Sequence, residues 1–152
     1  MNSKLLFCVL TMFVFASAPL CRAAEDDTAL LNTLGYTTGQ SVLLTHMAVG
    51  TLADAFVAKT YKSGEATNFV ETYINITTGM KDQMNKLLDA DTLSKGDAKF
   101  IRNTIEVLDL VLKESKALKE FVSSGDDADA TAYDKARKKA LKEIKTLLDM
   151  KD

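Results

Sequence analysis

His46 is the single histidine of the chain. With the methionine thioethers it makes the one set of side chains whose types suit a soft metal or a haem iron. Imidazole and thioether both bind Cu(I), and a His/Met pair is an axial set for haem. Folding the helices back at the turns read below sets His46 level with Met80 and Met84, and brings Met47 and Met150 toward the same end. His46, Met80 and Met84 are therefore the candidate metal or cofactor residues, with haem or copper as the candidate group. The plainer reading is that methionine fills cores and that a lone histidine on an apolar face is a hydrogen-bonded core residue. Adjacent helix positions also diverge by about 100°, so Met47 does not share the direction of His46. No Cys-x-x-Cys-His is present, which excludes covalent c-type haem. On that balance the sequence predicts no cofactor, with haem or copper as the alternative.

Catalysis has less support. A Ser-His-Asp or Cys-His constellation needs its histidine within reach of a nucleophile, and His46 falls on an apolar helix face beside Val42, Val49 and Ala53. There is no phosphate-cradling glycine loop, no His-Glu-x-x-His, and no acid marked as buried and raised in pKa. The sequence predicts a protein that is not an enzyme. The acidic clusters at Asp89, Asp91 and Asp97, and at Asp126, Asp127 and Asp129, lack the alternating oxygens, central Gly and closing Glu of a calcium loop. Helix caps and turns account for them. Asn75-Ile76-Thr77 is a formal glycosylation sequon on a polar helix face, relevant only to a eukaryotic source.

The more unusual feature is a helix without charge. Between Thr28 and Lys59 the only formal charge is Asp54. Val42, Val49, Leu52, Ala53 and Phe56 make the core face of this helix. Leu44, Ala48, Thr51, Ala55 and Ala58 occupy the opposite side, where a solvated helix carries Lys and Glu. A helix apolar all round is normally buried all round, so this back needs a cover. One candidate cover is the preceding leader, with Leu30, Leu31 and Leu34, folding across it. The other is a protein partner or a second copy, since small residues let two helices approach closely.

Lys135, Lys138, Lys142 and Lys145, with Lys139 between them, form a basic face on the last helix. Such a face suits an acidic partner or an anionic surface, but a run of this kind is ordinarily a solvated face. Arg137 differs, lying among the apolar positions, and Asp54 is its candidate partner.

The elements that must carry these residues follow from composition and periodicity. The 152-residue chain is 47% hydrophobic and 26% charged, with one proline and seven glycines, which predicts a helical globular domain. Residues 1–23 read as a cleaved signal peptide: Lys4 opens it, Leu5 to Ala16 form an uncharged apolar run, and Cys21 and Ala23 sit at −3 and −1 of the cleavage site. Cleavage there removes both cysteines (Cys8, Cys21) and two basic residues (Lys4, Arg22). The remaining 129 residues then hold 17 basic and 21 acidic side chains, a net charge of −4. That acidic balance speaks against nucleic acid as a partner. The apolar run is shorter than the roughly 20 residues of a membrane span, so no stable membrane insertion is expected once the signal is removed. The expected location is periplasmic or secreted.

After a leader at 24–39, bracketed by Gly35 and Gly39, apolar spacings of three and four predict helices at about 40–62, 65–89, 96–123 and 127–149. Ser94 with Asp97 resembles a capping box, and Gly125 reads as a helix stop. Four helices of similar length joined by short loops imply an all-α, antiparallel up-down-up-down four-helix bundle over 40–152, preceded by a short helical or extended leader. The functional expectation is an exported binding or interaction protein that associates through its charge-poor first long helix. The alternative is a binder of haem, copper or a small hydrophobic ligand centred on His46 and the core methionines.

Overall fold

The structure is a computed structural model that describes the backbone of residues 18–150 and the side chains of residues 29–150. The signal-peptide reading of residues 1–23 falls outside the described residues for positions 1–17. Four helices follow one another: α1 (Ala18–Val57), α2 (Ser63–Asp89), α3 (Lys95–Ser124) and α4 (Asp127–Leu147). They build the all-α four-helix bundle that the spacing predicts, with consecutive helices packed side by side. The contacts divide the chain between Tyr36 and Thr37, and the bundle is the unit from Thr37 onward. Among the described residues no helix is long and apolar enough to cross a membrane.

The largest correction is at the start. No break occurs at Gly35 or Gly39, and the residues expected as a separate leader continue into α1 as one helix of 40 residues. Gly39 has a packing reason rather than a turn: a Cβ built there stands 2.5 Å from Leu148 Cδ2, so its bareness lets the end of the chain approach α1. At the other end α1 stops at Val57 instead of 62. Lys59 takes a positive φ of 61° there, and α2 starts at Ser63, two residues earlier than its pattern suggests. The Lys62 backbone N–H donates to Glu65 Oε2 at 3.0 Å, which satisfies one of the donors that every helix start leaves open.

The second turn follows its residues closely. Ser94 caps α3, accepting from the Asp97 N–H at 3.2 Å and donating its hydroxyl to Asp97 Oδ2 at 2.6 Å. Gly125 ends α3 in the left-handed region, φ 72°, with its N–H on the Phe121 carbonyl. α3 is the central element of the core. It buries Ile101, Thr104, Val107, Leu108, Val111, Leu112, Glu114, Ser115, Leu118 and Val122. Val49, Leu52 and Ala53 of α1, Ala66 and Val70 of α2, Leu118 and Val122 of α3 and Tyr133 of α4 form one buried cluster. Phe56 and Phe121 meet edge-on against it, 5.4 Å between centroids. The Ser63 hydroxyl donates to the Val122 carbonyl at 2.5 Å, and Lys119–Glu71 and Lys81–Asp109 ion pairs join α2 to α3 along the surface.

Candidate functional site

The core face of α1 carries His46, Gly50 and, at the rim, Asp54, spaced by one helical turn each. His46 is 4% exposed, and its Nδ1 shares a 2.8 Å hydrogen bond with Glu114 Oε2 from the middle of α3. Glu114 is fully buried. Three residues separate it from Val111 and four from Leu118, both fully buried, so helical spacing alone turns its carboxylate into the bundle.

α4 completes the group with Tyr133 and Arg137, again one turn apart. Tyr133 is 6% exposed and packed in the main apolar cluster. The Arg137 guanidinium lies against the backbone of α1 over Gly50: a Cβ at that position stands 2.5 Å from Nη2 and 2.8 Å from Cζ. Gly50 is thus the slot through which a charged side chain of α4 crosses α1. Arg137 Nη1 reaches Asp54 Oδ1 at 4.0 Å, so the pairing expected from sequence is present, as a long contact to a largely solvated carboxylate.

This seam is polar, buried and incompletely paired. Glu114 Oε1 is shut off from solvent without a hydrogen-bond partner, and the equally buried Tyr133 hydroxyl has the Arg137 guanidinium beside it. Burial pushes the Glu114 carboxyl above its ordinary range; the hydrogen bond to His46, the field of that ring and then the Arg137 charge oppose the shift. Burial also pushes the Tyr133 phenol upward, against the nearby Arg137, while the Glu114 and Asp54 charges add to the rise. The arrangement favours the neutral forms of both groups.

His46 sits on the core face with Val42, Val49 and Ala53, all buried. The structure gives it Glu114 as a partner, which the sequence reading did not pick out. Met84 is buried, Met80 half-buried and Met47 exposed by 56%. Among the described residues no three His, Cys, Asp or Glu side chains gather into a group able to hold a metal ion. Residues that sequence reasoning missed are Glu114, Gly50 and the Tyr133 hydroxyl. The detectable sign was the apolar spacing of α3: Val111, Glu114 and Leu118 continue its core stripe, while the flanking Lys113 and Lys116 make Glu114 look like part of a solvated run.

The charge-poor back of α1 lies on the bundle surface. Leu44 is 63% exposed, Thr51 and Ala58 are exposed, and Ala48 and Ala55 are half-buried. Beside it, Ala48, Thr51 and Ala55 face Tyr61, Phe69 and Tyr73 across a shallow groove of about 320 Å³. On the basic face Lys135, Lys138 and Lys142 are exposed and Lys145 is half-buried. Lys138 is tied to Asp134 one turn back at 2.6 Å, as on an ordinary solvated helix. No family model, no curated protein and no solved structure matches the chain.

Proposed function

We propose that the protein is an exported helical-bundle module that works by association, burying the back of α1 against a second protein surface. The supporting observation is Leu44, 63% exposed and followed by Met47 at 56%, on a helix whose only charge between residues 28 and 59 is Asp54. Exposed aliphatic side chains in succession, without the Lys and Glu of a solvated face, mark a surface that gains by being covered. Leu44 to Val57 covers about 20 Å of helix at 1.5 Å per residue. Phe69 of α2, 43% exposed, widens the patch across the groove. That footprint suits a small interface, toward the lower end of the ~800 Å² per partner usual for specific complexes.

The bare segments at Ala48, Thr51 and Ala55 let a partner helix lie close, and the uncharged face is best met by another uncharged one. A second copy of the chain satisfies both requirements. The test is light scattering over a concentration series, on the unmodified protein and on the Ala48→Glu/Ala55→Glu variant. The expected result is a dimer that the double substitution returns to monomer mass. Equal molar masses for the two proteins at every concentration sink the reading.

A further inference from the structure

The outward face of α1 is uneven. Leu44 and Met47 project from it, both largely exposed. Farther along the same helix, Ala48, Thr51 and Ala55 floor the shallow groove of about 320 Å³, and Tyr61, Phe69 and Tyr73 wall it. The Tyr61 and Phe69 rings rest against each other, 5.3 Å between centroids, so that wall is already set. Leu44 and Thr51 are seven residues apart, two helical turns, and point in nearly the same direction. A projecting aliphatic side chain and a recess lined by small and aromatic ones therefore lie on one line along α1, about 10 Å apart. The charge on this face is as uneven as its relief, since Asp54 stands at the recessed end and the projecting end has none.

We infer that a second copy docks with its α1 antiparallel to this one, so that Leu44 of each copy enters the groove of the other at Thr51. This rests on the association reading above and adds to it the direction of the partner helix and the side chain that fills the groove. The two-fold axis then passes beside Met47 and Ala48, as an interface that uses the same patch twice requires. Met47 faces the partner's Ala48, again a large side chain against a small one, and the exposed Gln40 comes level with the partner's Asp54 and can donate to its carboxylate. A parallel pair sets Leu44 on Leu44 and groove on groove. It leaves both recesses unfilled, where the centre of a specific interface packs as densely as a protein interior. It also brings the two Asp54 carboxylates to one level. The antiparallel pair separates them by about 20 Å along the helices, well beyond the ~8 Å screening length of physiological salt.

Cysteine cross-linking reads the direction. Leu44→Cys and Thr51→Cys are made separately in a Cys8→Ser/Cys21→Ser background, which leaves each protein a single thiol. Both positions are exposed, so neither change touches the core. One variant carries a heavy-isotope label. Each is oxidised alone, and the two are oxidised together after mixing under reducing conditions; mass spectrometry then identifies every disulfide-linked dimer. The expected result is a disulfide between the two different variants in the mixture, and at most about a tenth of that yield from either variant alone. Two copies of the same cysteine stand about 10 Å apart along antiparallel helices, beyond the roughly 7 Å between Cα atoms that a disulfide spans. Disulfides from each variant alone, at yields equal to the mixture, overturn the antiparallel docking and leave association through α1 standing. A dimer by light scattering that gives no disulfide in any of the three samples also overturns it, since the contact then lies elsewhere. Monomer mass for the unmodified protein at every concentration removes the association reading, and this inference with it.

Discussion

His46 Nδ1 and Glu114 Oε2, 68 residues apart in the chain, lie 2.8 Å from each other inside the bundle. Removing one partner strands the other. His46→Ala leaves the fully buried Glu114 carboxyl without its hydrogen-bond partner and is expected to cost about 1–3 kcal/mol for the stranded group. Replacing both partners, in His46→Leu/Glu114→Leu, should recover most of that loss, because the apolar pair leaves no buried polar group to satisfy. Urea unfolding of the single and double variants checks this; a double variant less stable than either single one contradicts it.

The Glu114 carboxyl also sets a pH dependence. Its native pKa is raised above the ordinary 4.5 by burial. Between those two values the folded protein binds more protons than the unfolded chain, so stability falls as pH climbs through the window and levels off above it. The contribution is therefore present in acid and lost toward neutrality, the reverse of a salt-bridged carboxylate. Glu114→Gln keeps a hydrogen-bonding side chain and should flatten this slope. Urea midpoints measured through that pH range give the comparison, and a slope unchanged in the variant assigns it to other groups.

Two glycines should gain unequally from the same substitution. Gly79, inside α2, has open space where a Cβ would go. Gly79→Ala is expected to stabilise by roughly 0.5–1 kcal/mol through helix propensity alone. Gly50→Ala places a methyl 2.5 Å from Arg137 Nη2, so the flexible guanidinium must move aside and the gain in stability should be smaller than at Gly79. Thermal unfolding of the two variants compares the two gains.

The Asp54–Arg137 contact should be weak. At 4.0 Å, with Asp54 largely in solvent, a double-mutant cycle on stability is expected to give coupling of less than about 1 kcal/mol, diminishing with added salt. Coupling that is large and insensitive to salt means the pair is desolvated in solution.

The four helices were legible because their apolar residues recur at three and four, and because Ser94 and Gly125 have the cap chemistry their positions demand. Gly35 and Gly39 misled: a glycine marks a break only when its backbone needs one, and Gly39 is bare because Leu148 packs on it. In the seam, His46 and the Arg137–Asp54 pair were readable as polar residues out of place on apolar faces. Glu114 was hidden by its charged neighbours, although its spacing to Val111 and Leu118 is core spacing. The Gly50 slot was not readable at all. It depends on how closely α4 crosses α1, and one helix's pattern does not encode that distance.

The span of the His46–Glu114 bond has a kinetic meaning as well. α2, α3 and α4 join through short turns, so their mutual contacts close small loops and form early. The bond from α1 to α3 must close a loop of 68 residues, and its entropy is repaid only once α2 and α3 already pack. The polar seating of α1 is therefore expected to form after the folding barrier. His46→Ala should accelerate unfolding while leaving the folding rate nearly unchanged in stopped-flow chevrons, a φ value near zero. The helix that carries the exposed, charge-poor face is then expected to be the last to be locked.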